Sequence, residues 1–165
     1  MSTEHDFRPI SEQFAWLEND LQNVDRSVTP WLIFSGHRAM YVDSNDTSIP
    51  AGDQTVAQFM RDNLEDLLIK YNVDLALWGH LHSYQRTCHV YNEKCGQDAL
   101  PVHVIVGMAG FDLDDDFEDE KPEYMEIIDN MHFGFSMITT TDTSLHFQFL
   151  NNDDDTVLDQ FWLYK

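Results

Sequence analysis

The sequence Gly79-His80-Leu81-His82 carries the strongest chemical signal in the chain, two histidines separated by one residue. Neutral imidazole is the commonest protein metal ligand. Side chains two apart, just past a strand end, can project together into a cleft. Many such pairs are structural, because alternate residues of any strand share a face. A matching dipeptide, Gly36-His37, closes an earlier apolar run, so His37 joins His80 and His82 as a candidate ligand. Tyr84 and Arg86 follow closely; either could meet an anionic substrate or make a structural hydrogen bond. His103 and His146 sit inside strand patterns, where a packed or surface imidazole is expected. His89 is less persuasive as a ligand, and His5 and His132 lie near predicted loop or strand boundaries with no obvious partner.

The elements that must position these residues can be read from periodicity. Phe14, Leu17, Leu21 and Val24 recur at helical spacing behind a potential cap, Ser11. Trp31–Phe34 is a short apolar run suited to a strand buried on both faces. Val56, Phe59, Met60, Leu64, Leu67, Leu68 and Tyr71 trace one face of a long helix, and Val73–Trp78 reads as the next strand. This order is a βαβ unit, whose strands should be parallel with a right-handed crossover. Both strands end in Gly-His, which places His37 and His80 on one sheet edge, each behind a glycine that permits a sharp turn. From Pro101 onward, 101–106, 133–140, 144–150 and 156–164 read as strands of an antiparallel meander packed against the first sheet. The expected fold is α/β: a βαβ unit with a partly parallel sheet packed on an antiparallel sheet, in a single domain over 1–165.

Composition limits the partners. The chain has 165 residues, 30 of them acidic against 9 Lys and Arg, and a formal charge of −21. That balance excludes proteins that grip nucleic acid or anionic membranes, which need clustered basic side chains. No apolar run approaches the about 20 residues that span a bilayer. The first residues are polar and acidic, where a secretory signal would be basic then apolar. Seven of the nine residues from Asp112 to Glu120 are acidic. This block, the loop 112–123, is expected to be solvated and away from the histidine edge. Its spacing does not fit an EF-hand.

Cys88 and Cys95 bracket a short segment. Free thiols, a local disulfide closing a hairpin, and zinc binding with His89 are all open, although the spacing lacks the paired-ligand pattern of zinc sites. Asn45-Asp-Thr47 is a glycosylation sequon in a predicted loop.

Ser35-Gly-His-Arg-Ala-Met-Tyr41, taken with Gly79-His-Leu-His-Ser-Tyr-Gln-Arg86, resembles the last two metal-binding motifs of the purple acid phosphatases, within the calcineurin-like metallophosphoesterases. The likeness extends through Glu12–Glu18, Pro101–Gly110 and Val157–Trp162. It implies half of a layered α/β/β/α sandwich and a metal-dependent phosphatase acting on phosphate monoesters; a phosphodiesterase of the same superfamily would use the same ligands. His37 and His80 match ligands of a divalent metal, and His82 a ligand of ferric iron, in a dinuclear centre of iron with zinc, manganese or iron. The resemblance also implies a secreted, vacuolar or lysosomal setting, which favours the Cys88–Cys95 disulfide and glycosylation at Asn45. The family's earlier motifs, Asp-x-Gly, Gly-Asp-x-x-Tyr and Gly-Asn-His, are absent from this sequence. The site is therefore expected to be incomplete, and the chain to show little activity alone or to be a non-catalytic acidic module with at most one weak metal site. An upstream half-domain or a second copy is the expected partner beside the phosphate ester.

Overall fold

A computed structural model describes residues 1–96 and 101–165. Ser11 caps the first helix, α1 (Glu12–Gln22): its Oγ accepts a hydrogen bond from the Phe14 N–H at 3.1 Å. Glu12 sits in the first turn, where the helix dipole favours an acid. Leu17 and Leu21 are buried. The apolar run that follows becomes β1 (Ile33–Ser35). The long helix forms as α2 (Asp53–Met60) and α3 (Asp66–Lys70), joined by a turn of π-helix at Arg61–Glu65. Met60, Leu64, Leu67 and Leu68 are all buried across that wider turn. β2 (Leu75–Trp78) then runs parallel to β1, with Ile33 beside Leu75 and Ser35 beside Leu77, as the βαβ reading requires.

The next strands depart from the expected meander. β3 (Tyr84–Tyr91) and β4 (Lys94–Cys95) form a hairpin directly after the histidine pair. β5 (Val102–Val106) does not open the antiparallel sheet; it lies parallel to β2 inside the first sheet. β6 (Met125–Asp129) pairs antiparallel with β3. The larger sheet therefore has the order β1-β2-β5-β3-β4, with β6 also on β3. An apolar run buried on both faces looks alike in parallel and antiparallel surroundings, so the run at 101–106 could not announce its neighbour. The meander is β7 (Gly134–Thr140), β8 (Ser144–Asn151) and β9 (Val157–Tyr164).

Side-chain alternation along the central strands builds two apolar layers. Ala76, Trp78 and Ile105 share a cluster with Leu17, Leu21, Ala57, Met60 and Leu68 of the helices. Leu75, Val102 and Val104 share the other with Leu145, Phe147, Phe149 and Leu163 of the smaller sheet. The result is a helical layer on a partly parallel sheet, which packs in turn on an antiparallel one.

Candidate metal centre

Because β1 and β2 are parallel and in register, both chains leave the sheet at one edge. The Gly36 N–H donates to the Leu77 carbonyl at 3.1 Å and the Gly79 N–H to the His37 carbonyl at 2.9 Å, which ties the two exits together. His37 and His80 meet there, with Nε2 of the first and Nδ1 of the second 3.1 Å apart and the rings edge to face at 4.9 Å. The glycines play a different part from the one expected. The left-handed turn falls on His80 itself, at φ +70°, a conformation that a non-glycine residue keeps only when its surroundings enforce it. Gly36 serves close packing instead: a methyl group there would sit 2.8 Å from the Trp78 ring.

His80 is held from its other side by Asp53, the first residue of α2, whose Oδ1 lies 3.2 Å from His80 Nε2. Burial, and then the neighbouring Arg38 guanidinium, hold the His80 pKa below its ordinary value. Ser44 Oγ donates to the second Asp53 oxygen at 3.2 Å, and Arg38 Nη1 approaches Oδ1 at 3.4 Å.

His82 is not brought to this pair. Its ring meets Phe111 edge-on at 5.7 Å, while its backbone N–H donates to Asp114 Oδ2 at 2.6 Å and its carbonyl accepts from the Asp114 N–H at 3.1 Å. Among the described residues, no group of three or more His, Cys, Asp or Glu side chains is arranged to hold a metal ion. Tyr84 and Arg86 turn to acids of this chain: the Tyr84 hydroxyl donates to Asp159 Oδ2 at 2.7 Å, Arg86 Nε donates to the same oxygen at 2.6 Å, and Arg86 Nη1 pairs with Glu126.

The acidic loop lies against the histidine edge rather than away from it. Besides the Asp114 clasp on His82, the Asp116 carbonyl accepts from the Asn45 N–H at 3.1 Å, and the Glu118 N–H donates to Asp43 Oδ1 at 2.9 Å. Burial raises the Asp43 pKa. Backbone groups do most of this fastening, which a composition rule about charged runs does not register. Cys88 and Cys95 form a disulfide across the β3–β4 hairpin, and Asn45 is exposed. His103 is buried and accepts from Trp78 Nε1 at 3.1 Å, whereas His146 stacks on Trp162 with ring centres 4.0 Å apart. Sequence reasoning missed Asp53 and Arg38; an acid at a helix start after Gly52 is a common capping pattern and gave no sign of its neighbour.

Two histidines at parallel strand ends thus stand at one edge of an α/β sheet that packs on a second, antiparallel sheet. The sequence pattern of the calcineurin-like phosphoesterases matches residues 2–84, and that of the iron/zinc purple acid phosphatase-like C-terminal region matches 100–160. The chain belongs to the calcineurin-like phosphoesterase family, on its purple acid phosphatase branch. It is 35% identical to probable inactive purple acid phosphatase 9 of Arabidopsis thaliana, over 96% of this chain and 26% of that one. It is 34% identical to acid phosphatase type 7 of Mus musculus, over 94% and 40% respectively. A purple acid phosphatase from yellow lupin (Lupinus luteus) seeds superposes with a TM-score of 0.88 at 30% identity, covering 99% of this chain and 30% of that one. The chain spans from about a quarter to just under half of the length of the curated relatives it matches.

Proposed function

We propose that this chain supplies part of the centre of a metal-dependent phosphomonoesterase, with His37 and His80 holding one divalent ion. The observation that carries the reading is the 3.1 Å between His37 Nε2 and His80 Nδ1. Bonds of about 2.0–2.1 Å from one zinc ion place neighbouring nitrogens about 2.9–3.4 Å apart at octahedral or tetrahedral angles, so the pair fits a shared ion. Such an ion, when bound, polarises a phosphoryl oxygen and makes hydroxide available at neutral pH. The chain's own groups hold the site: Asp53 and Arg38 flank His80, while the Asp114 clasp and Phe111 engage His82, the residue matched to the iron side of the family's centre. A phosphate monoester is the proposed substrate of the complete centre. The disulfide and the exposed sequon at Asn45 support an exported setting.

A second reading, a non-catalytic module, is favoured by relatives whose names carry the words "probable inactive" and by His82 standing against Phe111. Titration calorimetry with zinc, beside release of nitrophenol from its phosphate at acid pH, tests both. The expected result is one ion per chain, lost on His80→Ala, without turnover. Absence of any divalent-ion binding overturns the metal reading. Hydrolysis that scales with added iron and zinc and disappears in His80→Ala overturns the single-ion assignment and the non-catalytic module together.

A further inference from the structure

We infer that the outer face of the β7–β9 sheet is an interface between two copies of this chain. Directly opposed side chains of an antiparallel pair share a face. Phe135 stands opposite Leu150, Leu150 opposite Val157, and His146 opposite Trp162, so these side chains point outward together. Leu145, Phe147, Phe149 and Leu163 point the other way, into the core. An antiparallel sheet with one solvated face alternates apolar inside with polar outside. Here the alternation fails, because the outward positions Phe135, Met137, Leu150, Val157, Trp162 and Tyr164 are apolar or aromatic too. Their size matters. Phe135, Trp162 and Tyr164 are 44%, 48% and 73% exposed. At about 150–250 Å² per aromatic side chain, these three alone offer about 250–400 Å². Exposed Met137 and Val157 add to that. A standard interface takes about 800 Å² from each partner, a little over half of it apolar, so the face is of the right order.

Charge selects the occupant. The chain carries −21, yet the polar side chains on this face, Thr139, Ser144, His146, Gln148 and Gln160, include no carboxylate, lysine or arginine. Asp159, the acid within β9, is turned inward onto Tyr84 and Arg86. Asp142, Asp153, Asp154 and Asp155 are exposed, but they lie in the turns at the two ends of the sheet. A face without lysine or arginine does not suit anionic lipid, and one without carboxylates does not suit a basic partner. Two copies of so acidic a chain repel wherever their carboxylates meet. Joined by this face, they bury uncharged side chains and leave the acids at the rim. A single patch facing itself about a two-fold axis is the commonest oligomer geometry, and two sheets packed in this way keep their strands within about 30° of each other. The face is also ordered in advance: the His146 ring stacks on Trp162, and its Nε2 lies 3.0 Å from Gln160 Oε1. Such order lowers the cost of association.

Sedimentation velocity of the full chain tests this. A monomer–dimer equilibrium is expected at protein concentrations of about 1–100 μM. Raising the salt from about 0.01 M to about 0.15 M should strengthen it, because screening relieves the repulsion between the rim acids. Met137→Glu places a carboxylate inside the interface and should weaken association at least about tenfold. Should that variant fail to fold by circular dichroism, Gln148→Glu adds the same charge at nearly unchanged size and should weaken association likewise. Trp16→Glu, at an exposed position of α1, adds the charge elsewhere and should associate like wild type. A monomer throughout the range, or a dimer as tight in the folded face variants as in wild type, overturns the inference. An equal loss in Trp16→Glu overturns it as well, since net charge alone would then be responsible. A monomer that binds phosphatidylcholine vesicles, and loses them on Met137→Glu, overturns it in favour of a lipid surface.

Discussion

His103 is 2% exposed, with the Trp78 indole donating to its Nδ1 and the Tyr41 ring 4.9 Å away. Burial, and then the Arg61 charge, push its pKa from 6.5 to about 3. The unfolded chain takes up a proton near 6.5 that the folded chain refuses until about 3, so this residue withdraws stability as pH falls through that window. The slope it adds is at most about 1.4 kcal/mol per pH unit. Glu65 and Asp43 act in the opposite sense: burial raises both, so what they contribute is present at low pH and lost as pH rises. Urea unfolding of His103→Gln from neutral to acid pH should therefore show a shallower acid decline than wild type; an unchanged decline refutes the assignment. Gly107 makes a sharper steric case. A methyl group there would fall 1.6 Å from the Leu81 carbonyl oxygen, in the turn between His80 and His82. Gly107→Ala is expected to cost about 1–3 kcal/mol or more in thermal unfolding, since backbone cannot give way as a side chain can. At this scale the sequence revealed the type of His103, inside a strand pattern, but not its burial. The close approach at Gly107 depends on a neighbour from another strand and left no local trace.

At the level of elements, what could be read followed the periodicity. α1, β1, β2 and the long helix were legible because each buries one regular stripe or a short apolar run against the same sheet. β3 was not, because Gln85, Arg86, Thr87 and His89 interrupt its apolar pattern. Those polar groups are tolerable only because partners arrive from distant elements: the Asp43 backbone for Gln85, Asp159 and Glu126 for Arg86, and the His103 backbone for Thr87. The hairpin of β3 and β4 has a further support in the disulfide, which closes a loop with sequence separation 7. β4 is two residues long and exposed, so it contributes little burial of its own. Removing the link by Cys88→Ser with Cys95→Ser should lower stability by about 2 kcal/mol on loop-closure grounds. Urea midpoints with and without reductant check this: wild type should fall toward the double variant on reduction, and the variant should not respond. A wild type insensitive to reductant would mean that the bond adds nothing.

Across the molecule, the histidine pair was legible because two parallel strands that end in the same dipeptide must share an edge. Asp53 joins that edge from a helix start, and the acidic loop reaches it by backbone hydrogen bonds, so neither has a signature in spacing. The position of the loop gives the −21 charge a local consequence. Asp115, Asp116 and Asp119 are exposed on a segment pinned at Asp114, Asp116 and Glu118, and cannot relieve their mutual repulsion by moving apart. Self-repulsion of this kind opposes the compact state and is screened by salt. The screening length falls from about 30 Å at 0.01 M salt to about 8 Å at 0.15 M, from longer than the loop's neighbourhood to shorter. The melting temperature at neutral pH should therefore rise over that salt range. Asp115→Asn combined with Asp116→Asn and Asp119→Asn should start higher at low salt, by about 2–4 °C for each kcal/mol relieved, and should gain less from added salt. An equal salt response in the two proteins would place the repulsion elsewhere on the surface, while a lower melting temperature in the variant would mean that these carboxylates hold the loop rather than strain it.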